Sequence, residues 1–449
     1  MRKSIDEVMS YSAHALDIIS KKDLSEQEKQ EFTSEVVDNF AKYVNPGTLE
    51  YRKSAAEDYT SIEWIDEEDG FYDVKGKHYI DWLGGFGVFS HGHRHPKVLK
   101  AVKDQLEKQA LGSAELLDGN RSMLAKLLAD ITPGDLKYTF FTSSGTESVE
   151  CAMKMAMMAT GRHYFITGTK DFHGKSLGAL SLTGKGVYRE PFIPMLQGIR
   201  HVPFGDFDYL KKTMESMAYI GELPAAVILE PIEGEIGVII PPDDYFPKVR
   251  ALCDEYDVLL VADEVQTGLA RTGKLFAVDH WDVEPDIICL AKAMGGGVMP
   301  LSACVCTERC YEKFMYDNPW MHSTTTGGNP LACAAGIAGI NVMLEEDLAG
   351  QAAEKGEYLM EKLAVLQKKY SDILVEVRGK GLMIVMVFCD DEKGYEVVTE
   401  MFGRGVLLSG TETNARCIRI EPPLTITQEH IDIGLEKLDE SLAAVAARK

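Results

Sequence analysis

The segment CLAKAMGGGVMP, residues 289–300, places one lysine, Lys292, between an apolar run and three glycines. The residues before it, DIICLA, have the length and apolar composition of a buried strand. A lysine at the end of such a strand needs an explanation, because a charged amine is costly to bury without a partner. An amine shielded from water has a lowered pKa and becomes a nucleophile for carbonyl groups. Lys292 is therefore the first candidate catalytic residue, and Gly295, Gly296 and Gly297 would let a large group approach the backbone.

Short apolar strands alternate with helical segments from residue 96 to about residue 344. The clearest strands are KYTFFTS, HYFIT, AAVILEP, VLLVADE and DIICLA, and the clearest helices are HPKVLKAVKDQLEKQ and DDYFPKVRALCDEYD. This alternation predicts an α/β fold with a largely parallel, doubly wound sheet. Ligands of such sheets bind beyond the carboxyl ends of the strands, so the residues that follow each strand are the candidate site residues.

The segments on either side of this region have a different pattern. Residues 1–45 predict amphipathic helices, one of which starts at SEQEKQ. Residues 46–95 contain a predicted hairpin, YDVKGKHYIDWLGG. Residues 345–449 predict a helix in QAAEKGEYLMEKLAVLQKKY, strands in ILVEVRGKGLMIVMVF and a final helix, which together are typical of a smaller α+β unit.

Composition excludes several classes of function. A formal net charge of −23 over 449 residues argues against nucleic-acid binding, which needs basic surface. No apolar run reaches the roughly eighteen residues that a membrane span needs, and the charged N-terminus does not resemble a signal peptide, so we expect a soluble, cytoplasmic protein. The nine cysteines form no CxxC pair with a histidine partner, which predicts reduced, buried thiols and no metal site.

The segment FFTSSGTESVECAMKMA ends a predicted strand and opens a helix at Ser143, Ser144, Gly145, Thr146 and Glu147. Small hydroxyl residues and a glycine at a helix N-terminus present free N–H groups and the positive end of the helix dipole, which suits a phosphate. The same residues could also form a plain N-cap. The spacing of a P-loop is missing.

The segment VLLVADEVQTG delivers Asp263 and Glu264 at the end of an aliphatic strand. A carboxylate there could bind a metal, a ribose or a protonated nitrogen. Asp263 and Lys292 are about one βαβ unit apart, so they would lie on nearby strands at the same edge of the sheet. A phosphate site, a buried acid and a nucleophilic lysine together fit pyridoxal phosphate, because the lysine can bond its aldehyde and the acid can keep its pyridine nitrogen protonated.

These residues resemble a known family over nearly the whole chain. The segments SSGTES, FHGKSLGALS, LEPIEGE, DEVQTGLARTGKLFA, LAKAMGGGVMP and TTTGGNPLACAAG are similar to those of the class III, or ω-, aminotransferases of fold type I. The resemblance implies a pyridoxal-phosphate-dependent α/β enzyme with a mainly parallel seven-stranded sheet. It assigns residues 96–344 to the large cofactor-binding domain, residues 1–45 to a helical extension, and residues 46–95 and 345–449 to a small α+β domain built from both termini.

The resemblance also assigns roles to individual residues. Lys292 and Asp263 would be catalytic: Lys292 would hold the cofactor and shuttle a proton, and Asp263 would pair with the pyridine nitrogen. The other residues expected to bind the cofactor are Ser144, Gly145, Thr146, Phe172, His173, Gln266 and Thr325. Thr325 would reach the phosphate in the neighbouring subunit, which implies a homodimer or a higher homo-oligomer with shared sites.

Substrate recognition is expected to depend on Arg419 and Glu235. By resemblance, Arg419 would bind the α-carboxylate of glutamate or 2-oxoglutarate. Glu235 would pair with Arg419 when no carboxylate is present, because an unpaired buried arginine is costly. The pair would let one site accept both a 2-oxo acid and an amine that lacks a carboxylate.

The segments NPGTLEYRKS, LGGFGVFSHGHRHP, RHVPFGD and IRIEPPLT, with the N-terminal extension, are most similar to class III members that act on the diamine putrescine. We therefore expect transfer of an amino group from putrescine, and also cadaverine, to 2-oxoglutarate, giving 4-aminobutanal, which cyclises to 1-pyrroline, and glutamate. Polyamine catabolism is the implied role. Ornithine, acetylornithine and 4-aminobutyrate are the alternative substrates, and a silent binding protein is the alternative from another class.

Three positions depart from the family pattern. Thr326 follows Thr325 where phenylalanine is frequent, and Glu233 and Ile236 replace the usual residues in EGEIG. Glu233 could add an anion that favours a cationic amine tail, or it could be solvated.

Overall fold

The computed structural model of the protein describes residues 2–49, 61–113, 115–411 and 413–448. The segment NPGTLEYRKS therefore lies only partly within the described residues, which stop at Leu49.

The chain begins with two helices, α1 (Ile5–Ser20) and α2 (Glu26–Asn39), which a π-helical turn extends to Val44. The Ser25 hydroxyl accepts a hydrogen bond from the backbone of Glu28, and the Glu28 carboxylate accepts one from Ser25, so the predicted helix start at SEQEKQ is confirmed. Neither helix has a buried residue. Among the described helices, none is both long enough and apolar enough to cross a membrane.

A small sheet follows the N-terminal helices. It consists of β1 (Glu63–Glu67), β2 (Gly70–Asp73) and β3 (His78–Asp81), each antiparallel to the next. The hairpin predicted in YDVKGKHYIDWLGG is therefore present, with β3 as its second strand. Asp81 at the end of β3 accepts hydrogen bonds from the backbone N–H groups of Leu83 and Gly84, which turns the chain toward the large sheet.

Seven strands form the large sheet, in the order β4-β10-β9-β8-β7-β5-β6. Their bounds are β4 (Tyr138–Thr142), β5 (Tyr164–Gly168), β6 (Ile199–Val202), β7 (Pro224–Leu229), β8 (Leu259–Asp263), β9 (Ile287–Leu290) and β10 (Ser302–Cys306). Only β10 runs against its neighbours, and the other strands are parallel to one another. The predicted fold class, a mainly parallel seven-stranded α/β sheet, is confirmed.

Helices cover both faces of this sheet. Their bounds are α3 (Pro96–Leu106), α4 (Gly119–Ile131), α5 (Gly145–Thr160), α6 (Leu177–Leu182), α7 (Gly186–Arg189), α8 (Phe207–Tyr219), α9 (Tyr245–Tyr256), α10 (Glu308–Tyr316) and α11 (Pro330–Glu345). The pleat of the strands divides the core between the faces. Val261 and Ile287 pack with α5 on one face, whereas Ala262 and Ile288 pack on the other.

Two strands of the large sheet are absent from the sequence prediction. Edge strand β6 has only four residues with alternating burial, so its apolar signal is short. All residues of β10, SACVC, are buried, but the segment combines small and thiol side chains rather than the β-branched residues that mark a strand. A short apolar run of this kind does not distinguish a strand from a buried helix.

The last hundred residues complete the fold. Their elements are α12 (Leu348–Lys369), β11 (Leu374–Lys380), β12 (Met383–Phe388), α13 (Asp391–Gly403), β13 (Val406–Leu407), β14 (Ser409–Gly410), β15 (Cys417–Ile420) and α14 (Gln428–Ala446). Strand β13 pairs in parallel with β3, so the two ends of the chain share one sheet. Strands β11, β12, β15 and β14 form a separate antiparallel sheet, which carries Arg419.

Trp82, which follows β3, is completely buried against α14. A Cβ atom added to Gly434 in α14 would lie 2.1 Å from the Trp82 ring. The contact between the two ends of the chain therefore requires a residue without a side chain at this position.

We expect Gly434→Ala to lower the free energy of unfolding by about 1–3 kcal/mol, because the added methyl group overpacks against Trp82. Gly403→Ala, at the end of α13, is the matched control, since an added Cβ there meets nothing within 4 Å. The control should be neutral or stabilising by up to about 1 kcal/mol. Urea unfolding of both variants checks this, and equal effects would contradict the packing argument.

Candidate active site

The carboxyl ends of the parallel strands surround a cavity of about 530 Å³. Its walls include most of the residues predicted to bind the cofactor, namely Ser144, Gly145, Thr146, Phe172, His173, Asp263, Gln266 and Lys292. These residues follow β4, β5, β8 and β9, as expected for a ligand site at the edge of a parallel sheet.

The N-terminus of α5 forms one end of this cavity. Ser144 is the N-cap, but its hydroxyl makes no capping hydrogen bond to the helix. A Cβ atom on Gly145 would lie 2.7 Å from Val265, so only glycine lets the helix approach the loop after β8. The Thr146 hydroxyl lies 2.6 Å from that of Ser176. The helix end is thus an anion site lined by hydroxyl groups and backbone N–H groups rather than a helix closed by its own cap.

Asp263 is held by a buried histidine. Its Oδ2 atom accepts a hydrogen bond from His173 Nδ1 at 2.7 Å, and its Oδ1 atom accepts one from the Val265 N–H. On the other side, His173 Nε2 lies 3.0 Å from Thr167 Oγ1 and 3.5 Å from Asp171 Oδ2. Burial favours the neutral imidazole, but hydrogen bonds to Asp171 and Asp263 outweigh it and raise the pKa of His173 well above its usual value. The hydrogen bond from a protonated His173 fixes the orientation of the Asp263 carboxylate.

Lys292 lies in the cavity wall directly after β9. The registers of β8 and β9 place Asp263 opposite Cys289, so Lys292 and Asp263 leave adjacent strands at the same edge. The backbone of Lys292 has φ of 41°, a left-handed conformation that is strained for a residue with a side chain. Burial lowers the pKa of Lys292, while the negative charges of Glu235 and Glu421 act in the opposite direction.

The glycines after Lys292 have mainly a packing role. Gly296 and Gly297 adopt positive φ values of 63° and 72°, and a Cβ atom on Gly296 would lie 2.8 Å from Val98. Only Gly297 of the three glycines lines the cavity. The expectation that all three leave room for a ligand is therefore wrong for Gly295 and Gly296, which do not line the cavity, and Gly296 instead lets the turn pack against Val98.

The neighbouring carboxylates Asp263 and Glu264 have different surroundings. Glu264 faces away from the cavity, where Oε1 accepts a hydrogen bond from the Val278 N–H at 2.9 Å and Oε2 accepts one from the Thr267 hydroxyl. Burial raises the pKa of Glu264 to about 7. Asp263 is therefore the acid of the cavity, and Glu264 is a structural residue.

Two acidic residues near the cavity are missing from the sequence prediction. Glu230, directly after β7, lines the cavity and accepts a hydrogen bond from the Phe172 N–H at 2.7 Å. Burial and the charges of Asp171 and Asp263 raise its pKa well above the usual value. Glu421 accepts two hydrogen bonds from Gln266 Nε2, each 3.1 Å long. An acid directly after a buried strand was a signal that could have identified Glu230.

Arg419 and Glu235 form a buried ion pair. Nη1 and Nη2 of Arg419 donate to the two carboxylate oxygens of Glu235 at 2.9 and 2.8 Å, which is a bidentate geometry. Arg419 is 1% exposed and lies 4.9 Å from the centre of the Phe86 ring. The pair lies close enough to Lys292 for both charges to affect its pKa.

Thr325 does not line the cavity of its own chain and is exposed to solvent, as is Thr326. Glu233 is buried outside the cavity, in a short bridge with Ile239. Burial and the charge of Asp171 raise its pKa to about 8. Glu233 is therefore buried rather than solvated, and it does not line the cavity.

The donor set of the cavity fits pyridoxal phosphate. The α5 N-terminus suits the phosphate, the Asp263 carboxylate suits the protonated ring nitrogen, and the Lys292 amine suits the aldehyde. The fold and the site therefore define a pyridoxal-phosphate-dependent transferase of fold type I.

Comparison with known proteins identifies the family within this class. The family model described as Aminotransferase class-III matches residues 55–442. The protein belongs to the class III aminotransferases, which use pyridoxal phosphate and act on amines and 2-oxo acids.

Solved structures of similar chains have related activities. The ornithine aminotransferase from Toxoplasma gondii ME49 is 26% identical, with a TM-score of 0.84 and coverage of 100% of both chains. The taurine:2-oxoglutarate aminotransferase from Bifidobacterium kashiwanohense, solved with pyridoxal phosphate and glutamate, is 30% identical, with a TM-score of 0.80 and coverage of 86% of this chain and 93% of that chain. An (S)-enantioselective omega-transaminase from Thermomicrobium roseum is 30% identical, with a TM-score of 0.83 and coverage of 92% and 98%.

The raised pKa of Glu264 predicts that the difference in stability between the wild type and a Glu264→Gln variant depends on pH. A carboxyl whose pKa is about 7 in the folded protein and about 4.5 when unfolded holds its proton longer in the folded state, so its contribution to stability falls as pH rises from about 4.5 to 7. Between pH 5 and pH 8, the free energy of unfolding of Glu264→Gln should rise by about 2 kcal/mol relative to that of the wild type.

Urea unfolding of the two proteins at both pH values measures this difference, and all other titrating groups cancel in the comparison. A constant difference between the two proteins would show that Glu264 has an ordinary pKa in the folded state.

Proposed function

We propose that the protein transfers an amino group from a terminal diamine, putrescine and also cadaverine, to 2-oxoglutarate, giving the aminoaldehyde and glutamate. The bidentate pair between Arg419 and Glu235 beside Lys292 is the observation that supports this proposal most directly. The pair neutralises the site for an amine without a carboxylate, and it can open for a 2-oxo acid.

Lys292 carries the proton chemistry in this proposal. The cofactor, when bound, supplies an aldehyde and a ring that accepts electrons from the substrate carbon. The amine of Lys292 is the nucleophile that holds the cofactor, and burial favours its neutral, reactive form. When the substrate amine takes its place on the cofactor, the freed amine of Lys292 would accept a proton from the substrate carbon and would donate the same proton to the cofactor carbon that receives the amino group.

His173 orients the carboxylate of Asp263, which would pair with the ring nitrogen of the cofactor. The His173 imidazolium donates to Asp263 at 2.7 Å and prevents its carboxylate from turning away from the ring nitrogen. The negative charge of Asp263 then favours a protonated nitrogen, which makes the ring a stronger electron acceptor. Phe172 lines the cavity, where it would stack on the ring of the cofactor.

Arg419 and Glu235 select the substrate at each half of the reaction. With a diamine, the Arg419 cation stays covered by Glu235, so no buried charge is left without a partner. With 2-oxoglutarate, the substrate carboxylate replaces that of Glu235 on the same guanidinium face. Val88, Phe89, Val265 and Met299 give the cavity an apolar wall that suits a chain of methylene groups.

We propose a homodimer in the cytoplasm as the working form. Thr325 is exposed on its own chain, where it is available to the cofactor phosphate of a second subunit. All nine cysteines are unpaired, which is usual for a reducing compartment. The alternative substrates are ornithine, acetylornithine and 4-aminobutyrate, and similar structures include aminotransferases of ornithine and acetylornithine.

An end-point assay with pyridoxal phosphate and 2-oxoglutarate tests the substrate. Putrescine, cadaverine, ornithine, acetylornithine, 4-aminobutyrate and taurine are offered separately, glutamate is measured, and Lys292→Ala is the control for enzymatic turnover. We expect glutamate chiefly from the two diamines and none from the variant. Glutamate chiefly from an amino acid would overturn the diamine proposal, and turnover by Lys292→Ala would overturn the role of Lys292.

Glu235→Gln should affect the two half-reactions differently. Without the carboxylate, the Arg419 cation repels a diamine but still binds a 2-oxo acid. We expect kcat/KM for putrescine to fall by at least about tenfold, while KM for 2-oxoglutarate stays within about threefold or decreases. Glu233→Gln, which replaces a buried carboxyl outside the cavity, is the matched control and should leave both constants unchanged. Equal losses for both substrates in Glu235→Gln would rule out the exchange of partners on Arg419.

A further inference from the structure

Three side chains with metal-ligating atoms meet beside the small N-terminal sheet, outside the cavity described above. They are Glu63, Asp66 and His93, and one ligand atom from each lies within 4.8 Å of the others. We call them the β1 cluster. Among the described residues, no other group of three such side chains is this close.

An irregularity in β1 brings the two carboxylates together. Residues three apart on a regular strand point to opposite faces. The pairing of β1 with β2 shifts between Glu63 and Ile65, so Trp64 is an extra residue that places Glu63 and Asp66 on the same face. Glu63 is exposed and Asp66 half-buried, so the cluster opens to solvent.

His93 is held with one ring nitrogen directed at these carboxylates. Its ring stacks on Phe89 with centroids 3.9 Å apart, and its Nε2 atom lies 2.8 Å from Asp81 Oδ2. Nδ1, on the other side of the ring, lies 3.6 Å from Asp66 Oδ2 and has no hydrogen-bond partner among the residues that the structure describes. His93 is 3% exposed, so this nitrogen is a buried polar atom directed into the cluster.

The contact with Asp81 prepares His93 for a cation. Contacts with Asp66 and Asp81 outweigh burial and raise the pKa of His93 to about 9, so a cation at Nδ1 would displace a proton. Metal-binding histidines usually have a carboxylate partner on the other ring nitrogen, as His93 has in Asp81. Arg94 does not neutralise the cluster through a side-chain hydrogen bond, since its guanidinium donates to the backbone oxygen of Asp66.

We propose that Glu63, Asp66 and His93 bind a divalent first-row transition cation such as Zn²⁺, with water completing its coordination. One imidazole and two carboxylates form a mixed nitrogen and oxygen ligand set that Zn²⁺ accepts and that is poor for Mg²⁺, which prefers oxygen alone. The exposed side of the cluster gives the ion a path of entry.

The bound cation braces the loop that leads to the active site. His93 stacks on Phe89, which lines the cavity, and Asp81 holds both His93 and the turn at Leu83 and Gly84. The ion takes no part in amino transfer, because its ligands lie outside the cavity.

Calorimetric titration of the chelator-treated holoenzyme with Zn²⁺, and separately with Mg²⁺, tests the proposal. Glu63→Gln and Asp66→Asn each remove one carboxylate from a solvent-accessible strand, so both variants should fold. Glu67→Gln is the matched control, since Glu67 is an exposed acid on the same strand outside the cluster. Thermal unfolding with and without Zn²⁺ provides a second measurement on the same proteins.

We expect one Zn²⁺ per chain in the wild type and in Glu67→Gln, and at least about tenfold weaker binding in Glu63→Gln and Asp66→Asn. Zn²⁺ should raise the unfolding temperature only in the first two proteins, and Mg²⁺ should bind more weakly than Zn²⁺. Equal Zn²⁺ binding by all four proteins would place the ion elsewhere and overturn the proposal. Absence of binding by the wild type would show that the β1 cluster is a hydrogen-bonded group of carboxylates and imidazole.

Discussion

The hydrogen bond between Asp263 and His173 is the contact on which the active site depends. It joins the loop after β8 to the loop after β5, and it is buried on both sides. A carboxylate with this little access to water is stable only with a cationic partner, and His173 is kept protonated by Asp263 and Asp171 together. The arrangement fixes the carboxylate of Asp263 in the cavity wall, whereas burial lowers the pKa of the Lys292 amine in the same cavity.

Charge compensation also links the large sheet to the C-terminal part of the chain. Arg419 comes from β15 and Glu235 from the loop after β7, 184 positions apart in sequence. Gln266 after β8 bonds Glu421 just beyond β15, and Arg271 donates to the backbone oxygens of Leu382 and Pro422. Each of these buried polar groups finds its partner across the boundary between the two sheets. A shift of one sheet relative to the other would leave several of them without partners, which is costly in the interior.

The sequence predicted the parts of the fold whose signal is local. Aliphatic strands such as VLLVADE, capped helices such as the one at SEQEKQ, and the hairpin before Trp82 were all found, because their period and their boundary residues lie within one window. Strands β6 and β10 were missed, since a four-residue edge strand and a run of small and thiol residues carry little β signal. The glycines after Lys292 were noticed correctly but explained in part wrongly. Their role depends on Val98 and Phe89, which are distant in sequence and supply the atoms that exclude a Cβ.

The sequence by itself determined the chemical groups of the site: a lysine after one buried strand, an aspartate at the end of the strand before it, and a hydroxyl-rich helix start. It also determined the family, through motifs spread over most of the chain. Only the tertiary structure decided which groups meet. The pleat of β8 turns Asp263 into the cavity and Glu264 away from it, and the crossing of two sheets pairs Glu235 with Arg419. A bulge in β1 places Glu63 beside Asp66, opposite His93. The reason is that local sequence sets the alternation of side chains along a strand. Which face of the strand is buried, and which strands it pairs with, depend on contacts between residues far apart in the chain.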